Sequence, residues 1–139
     1  MSNTVLKARF VFKLLAWLFA VCIVLQVFFA GLALFWDSAQ WASHTGFAKF
    51  LMIPPVLMLI TSFFAKLPLS RRLSSAGLIV LIILMFVSAK MASSIGYLSA
   101  LHPVIALMLF MGAVSNARKT NATIEAKQQE STEQVVMKS

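Results

Sequence analysis

Twenty-three consecutive residues, Leu14 to Trp36 (LLAWLFAVCIVLQVFFAGLALFW), carry no charge and a single amide, Gln26. As a helix rising about 1.5 Å per residue, the run reaches about 34 Å, enough to cross a hydrocarbon core of about 30 Å. A water-soluble domain has no use for an apolar helix of that length. The chain is therefore expected to be an integral membrane protein, and every other feature is read within that constraint.

A secretory signal peptide also begins with a basic stretch and an apolar run. Its apolar core is shorter, about 7–15 residues, and a small-x-small cleavage site follows it. The run here is longer and closes on Phe35-Trp36-Asp37, so it reads as a retained span.

Three further apolar stretches follow. With them the sequence predicts an all-α, up-down bundle of four transmembrane helices. The spans fall at about 14–36, 43–65, 73–90 and 99–117, between a basic head (1–13) and a polar tail (118–139). The second span is the least regular, because Pro54-Pro55 interrupts it. A helix beginning at Pro54 would reach only about 18 Å before Lys66, too short to cross. The helix is therefore expected to start near Ser43 and to kink at the prolines, with the freed carbonyls buried against other helices. Asp37 or Ser38 is placed to cap that helix through a side-chain oxygen. The tail beyond Asn116 is expected to be a frayed helix or disordered.

The formal net charge of +8 raises the question of nucleic acid. The cations form no stripe, however. They flank apolar runs as Lys7, Arg9 and Lys13, as Lys66, Arg71 and Arg72, and as Arg118 and Lys119. Cations so placed are topology signals and contacts to anionic lipid. Nucleic acid is excluded as a partner, and the lipid bilayer is expected, together with a second copy or another membrane protein. The opposite connections hold only Lys49 and Lys90, so both termini are expected in the cytoplasm, with the chain in the plasma (inner) membrane.

Enzyme signatures are missing: there is no GxSxG, no phosphate-cradling glycine loop, no HExxH and no CxxC. Asp37 is the one acid outside the tail, so the membrane domain cannot supply a carboxylate pair. The single cysteine, Cys22, reads as a small buried apolar residue and permits no internal disulfide.

What remains is a polar set at the outer helix ends: Asp37, His44, Lys49, Lys90, Tyr97 and His102. Helix rise puts Lys49, Lys90 and His102 about 24–27 Å from the basic end and His44 about 30 Å from it. Ionisable groups in a span point to function or to a partner, although lysines near the interface snorkel to water at small cost. The two histidines admit bis-imidazole ligation of haem b and, as a weaker version, a transition-metal or quinone site. They also admit the plain reading of two interfacial side chains, His102 merely preceding Pro103 in a first helical turn. The difference in depth weighs against a shared ligand. A separation beyond about 15 Å would exclude haem, given metal–nitrogen bonds of about 2 Å.

Two stretches, FFAGLALFWDSAQWASHTGF (28–47) and LHPVIALMLFMGAVSNARK (101–119), resemble a family of small four-span bacterial membrane proteins of unknown function. The shared features are Ala-Gly-Leu then Phe-Trp-Asp closing span one, Trp and His opening span two, and Leu-His-Pro-Val opening a last span that ends in Ala-Arg. Where that family follows His-Pro-Val with Asn-Gly, this chain has Ile105-Ala106. The resemblance implies an architecture rather than an activity, and it puts Asp37, His44 and His102 inside motif-like segments.

Three functions fit: a non-enzymatic accessory or oligomeric subunit, a haem- or quinone-binding redox module using His44 and His102, and a small transporter or channel built by oligomerisation.

Overall fold

In lipid every backbone N–H and C=O must be satisfied within the protein, which restricts apolar runs of this length to helices. The computed structural model, which describes residues 3–91 and 95–137, contains helices, turns and no strand among those residues. Helix α1 runs Asn3–Phe35, α2 Trp41–Ala48, α3 Ile53–Phe64, α4 Leu69–Met91 and α5 Leu101–Val136. Short 3-10 turns at Ser38–Gln40 and Gly96–Ala100 precede α2 and α5. Of the expected connection after α4, residues 92–94 lie outside the described residues.

Four helical stretches are long and apolar enough to cross a membrane: Asn3–Phe35, Ser38–Phe64, Leu69–Met91 and Leu101–Ala126. Helix α1 starts eleven residues before the apolar run, so the basic head is helical too, and α5 carries the polar tail onward as helix.

The second span departs from expectation in an instructive way. It is two helices rather than one kinked helix, and the break precedes the prolines. Pro54 and Pro55 stand in the first turn of α3, where a missing N–H costs nothing. The α-helical ladder is interrupted at residues 49–52. There Phe50, Leu51 and Ile53 make i→i−3 bonds to Phe47, Ala48 and Phe50. Both prolines and Leu51 are buried while Lys49, Phe50 and Ile53 are exposed, so one face of the break packs against the protein and the other faces outward.

Helix α3 ends in a Schellman turn. Lys66 takes the left-handed conformation (φ 49°), its N–H bonds to Phe63 O, and Leu67 N–H reaches back to Ser62 O. Leu67 is buried at the turn and anchors it.

The spans pack as a closed ring. Helix α1 lies against α3 and α5, and α4 joins α3 to α5. The core runs through Phe12 and Phe19 of α1, Met58 of α3, Leu78 and Ile82 of α4, and Leu109 and Ala113 of α5. At Gly112 the α4–α5 seam is tight, since a Cβ there would come within 2.8 Å of Leu78 Cδ2. The outer surface is apolar. Phe28, Ile83, Leu107 and Met111 are exposed, the state expected of side chains solvated by lipid rather than by water.

Long-range side-chain bonds fix one end, among them three from cations. Arg9 Nε donates to Ala65 O (3.2 Å), Lys13 Nζ to Asn121 Oδ1 (2.7 Å) and Arg71 Nη1 to Asn116 Oδ1 (3.4 Å). The start of α1, the turn between α3 and α4, and the polar part of α5 therefore share one end of the bundle, called here the basic end. Both imidazoles lie at the other.

Candidate functional site: a histidine pair on an apolar cavity

At the end opposite the basic turn, the helices enclose a cavity of about 370 Å³. Its wall is almost wholly apolar, supplied by α1 (Ile23, Val27), α4 (Ile82, Met85, Phe86) and α5 (Leu109), among others. Five polar residues reach it: Gln26, His44, Thr45, Lys49 and His102. Val27 and Phe86 on its wall are exposed, so the cavity is partly open rather than sealed. An apolar cavity with a few convergent polar groups is the usual form of a small-molecule site.

His44 is half-buried on α2, on the first turn after the Ser38–Gln40 segment. Asp37 shapes that entry by accepting the Ala39 N–H at 2.9 Å. Trp41 stands edge-on to the His44 ring, with centroids 5.5 Å apart and an angle of 86°. His44 Nδ1 lies 3.0 Å from Gln26 O. A carbonyl can only accept, so Nδ1 carries a proton, and in the neutral ring Nε2 is the nitrogen that keeps the lone pair. The Gln26 side chain returns the contact, its Nε2 donating to His44 O at 2.8 Å.

His102 is held in a parallel way from α4. Its Nδ1 lies 3.4 Å from Ser88 Oγ, a long contact. The Ser88 hydroxyl gives its own proton to Met85 O at 2.8 Å, so its lone pair is what faces the ring. With the hydroxyl proton on Met85 O, the tautomer that bonds Ser88 is the one with Nδ1 protonated and Nε2 available.

The two rings lie with centroids 6.2 Å apart and planes at 51°. The helices carrying them, α2 and α5, make no close backbone approach among the described residues. The imidazoles thus bridge a gap that the main chain leaves open. The difference in depth expected from helix rise does not keep them apart. Rise cannot be summed at the α-helical value across residues 49–52, where i→i−3 bonds replace the α-helical ladder between α2 and α3.

Of the residues singled out in the sequence, His44, His102 and Lys49 meet on this cavity. Asp37 serves as a cap. Lys90 and Tyr97 are exposed and do not line it. Gln26 and Ser88 complete the site and were not among the candidates. Gln26 had a signal, being the one amide in a 23-residue apolar run, where a polar group needs a partner. Ser88 had none, since a serine near a helix end is common. Among groups of three or more His, Cys, Asp and Glu side chains, none of the described residues forms a cluster able to hold a bare metal ion.

Among curated proteins and among solved structures, nothing matches the chain. One family model does, over residues 26–95, a stretch that includes Gln26, His44, Lys49 and Ser88 and stops short of His102. That match spans half of the sequence, and the chain accordingly belongs to the family of unknown function DUF6220.

Proposed function

We propose that this protein is a small, non-enzymatic redox subunit that holds haem b in the cavity, with His44 and His102 as axial ligands. The observation carrying the proposal is the 6.2 Å between the ring centroids. Two metal–nitrogen bonds of about 2.0 Å, with each ring centre a further ~1.2 Å behind its nitrogen, separate two axial imidazoles by ~6.4 Å. The angle between the planes is unconstrained in such a pair, because each ring turns freely about its metal bond.

The surroundings support the same reading. Metal-bound histidines donate their other N–H to a carbonyl, carboxylate or water, which fixes the tautomer; Gln26 O and Ser88 Oγ are suited to that task. The apolar wall suits the faces of a macrocycle, and Lys49 at the rim suits a propionate. Haem sites in helical bundles are built in this way from side chains on facing helices. One redox centre needs a donor and an acceptor, so the reading includes a partner, another membrane protein or a second copy. The skew of cations toward one end supports both termini in the cytoplasm, and the reading places the subunit in a bacterial inner membrane.

The test is titration of the full chain, purified in detergent, with haemin. One equivalent is expected to bind with a sharp Soret band. His44→Ala and His102→Ala are each expected to weaken binding at least a hundredfold. Binding that is absent in the wild type, or indifferent to both substitutions, overturns the reading.

One atom favours a second reading. Gln26 Oε1 is buried with no hydrogen-bond partner, and a quinol hydroxyl would supply the missing donor. Under that reading haemin gives no band, while a short-chain quinol quenches the fluorescence of Trp41 in the wild type and not in Gln26→Leu.

A further inference from the structure

Among the described residues, Lys49 is the one lysine or arginine on the wall of the histidine cavity, and no acid lines that wall. Lys49 follows Ala48, the last residue of α2, and the free carbonyls of a helix end favour a cation at that place. It is both exposed and part of the wall, so its side chain stands where the cavity meets the outside. No carboxylate pairs with it among the described residues. Asp37, the one acid outside the tail, accepts the Ala39 N–H instead. Glu125 belongs to the basic end, where it accepts from Asn121.

The wall and the rim ask for different chemistry in one ligand. The wall calls for an apolar body, since Ile23, Ile82, Phe86 and Leu109 offer it nothing else. A wholly apolar ligand fails at the rim. It would strip water from the ammonium and give no charge or acceptor in return, which costs free energy. A ligand with an anion on its outer edge turns that cost into an ion pair.

The geometry points to Lys49 as the anchor of a ligand carboxylate: the cavity takes an amphiphilic acid, its apolar body among α1, α4 and α5 and its carboxylate at the end of α2. This deepens the haem reading and rests on it for the identity of the acid, a haem propionate. A fatty acid presents the same chemistry and is the other source. In the haem case Lys49 also sets the orientation of the macrocycle, with the propionates outward and the other edge between the helices.

Two ligands that differ only in this group test the anchor on the full chain in neutral detergent: haemin and its dimethyl ester, each followed at the Soret band. Haemin is expected to bind the wild type about fivefold more tightly than the ester, the upper end for an exposed ion pair. Lys49→Met is expected to erase the preference by weakening haemin and leaving the ester unchanged, a cycle that isolates the pair from any effect on the fold. Lys49→Arg is expected to restore it. Equal affinities in the wild type, or a preference that survives in Lys49→Met, overturn the anchor and leave the haem reading standing. Dibromostearic acid, which quenches tryptophan fluorescence, and its methyl ester probe the second source. If haemin gives no Soret band, saturable quenching by the acid that is weaker in Lys49→Met and absent with the ester upholds the anchor and overturns haem as the acid. Binding of neither acid overturns both.

Discussion

Gln26 and His44 hold each other twice: the side chain of each bonds the backbone carbonyl of the other, at 2.8 and 3.0 Å. One amide in the first span thereby fixes the position of α2, the direction of the His44 ring and the nitrogen that carries its proton. In Gln26→Leu the ring keeps its own bond to the α1 backbone and loses the reciprocal one. Haem affinity is expected to fall about 10–100-fold, the usual consequence of losing a partner that orients a ligand. Stability is expected to fall by about 1 kcal/mol. Haemin titration and thermal unfolding measure the two separately, and an unchanged affinity would deny Gln26 any part in orienting the ring.

The proline break sets where α2 ends, and His44 lies one turn before that end. Replacing both residues, Pro54→Ala with Pro55→Ala, restores two N–H groups and removes the ring clashes. Helices α2 and α3 are then expected to fuse. Helical signal in circular dichroism rises slightly, and haem binding drops because His44 swings away from His102. Retained binding with raised helicity would show that the break does not position the site.

Lys66 sits in the left-handed region, with φ 49°. A side chain in that conformation costs about 1 kcal/mol, and glycine avoids the cost. Lys66→Gly is expected to raise the unfolding midpoint by a few degrees without altering haem affinity. A lower midpoint would mean that the lysine head makes a contact worth more than the strain.

Asn116 is fully buried between α4 and α5, donating to Ser74 Oγ at 2.9 Å and accepting from Arg71. Asn116→Leu keeps the volume and leaves Arg71 without its acceptor. A loss of about 1–2 kcal/mol is expected in chemical or thermal unfolding. Asn116→Asp should restore the acceptor and recover much of it.

The helical architecture was legible because a bilayer leaves the backbone few choices. Residues 14–36 announce a span by length alone, and the cations at 66–72 announce a turn. The place of the break was not legible from Pro54-Pro55. Proline is tolerated in a first helical turn, so the disruption moved upstream to residues 49–52, where the composition is unremarkable. His44 and His102 were legible as the only two imidazoles, yet their approach was not. It depends on that break and on α5 lying beside α1, and neither follows from local sequence. The clusters at Gln26 and Arg9 have the same character. Each residue is visible alone, while the carbonyl that receives it, His44 O or Ala65 O, comes from another helix, 18 or 56 residues away.

The central claim is that both imidazoles bind one iron, and low-temperature electron paramagnetic resonance of the ferric, haem-loaded protein addresses it most directly. Two axial nitrogens impose a strong field, so the wild type is expected to give a low-spin signal, and His44→Ala and His102→Ala are each expected to give a high-spin one. A high-spin signal from the wild type, or a low-spin signal that survives in either variant, would contradict the account.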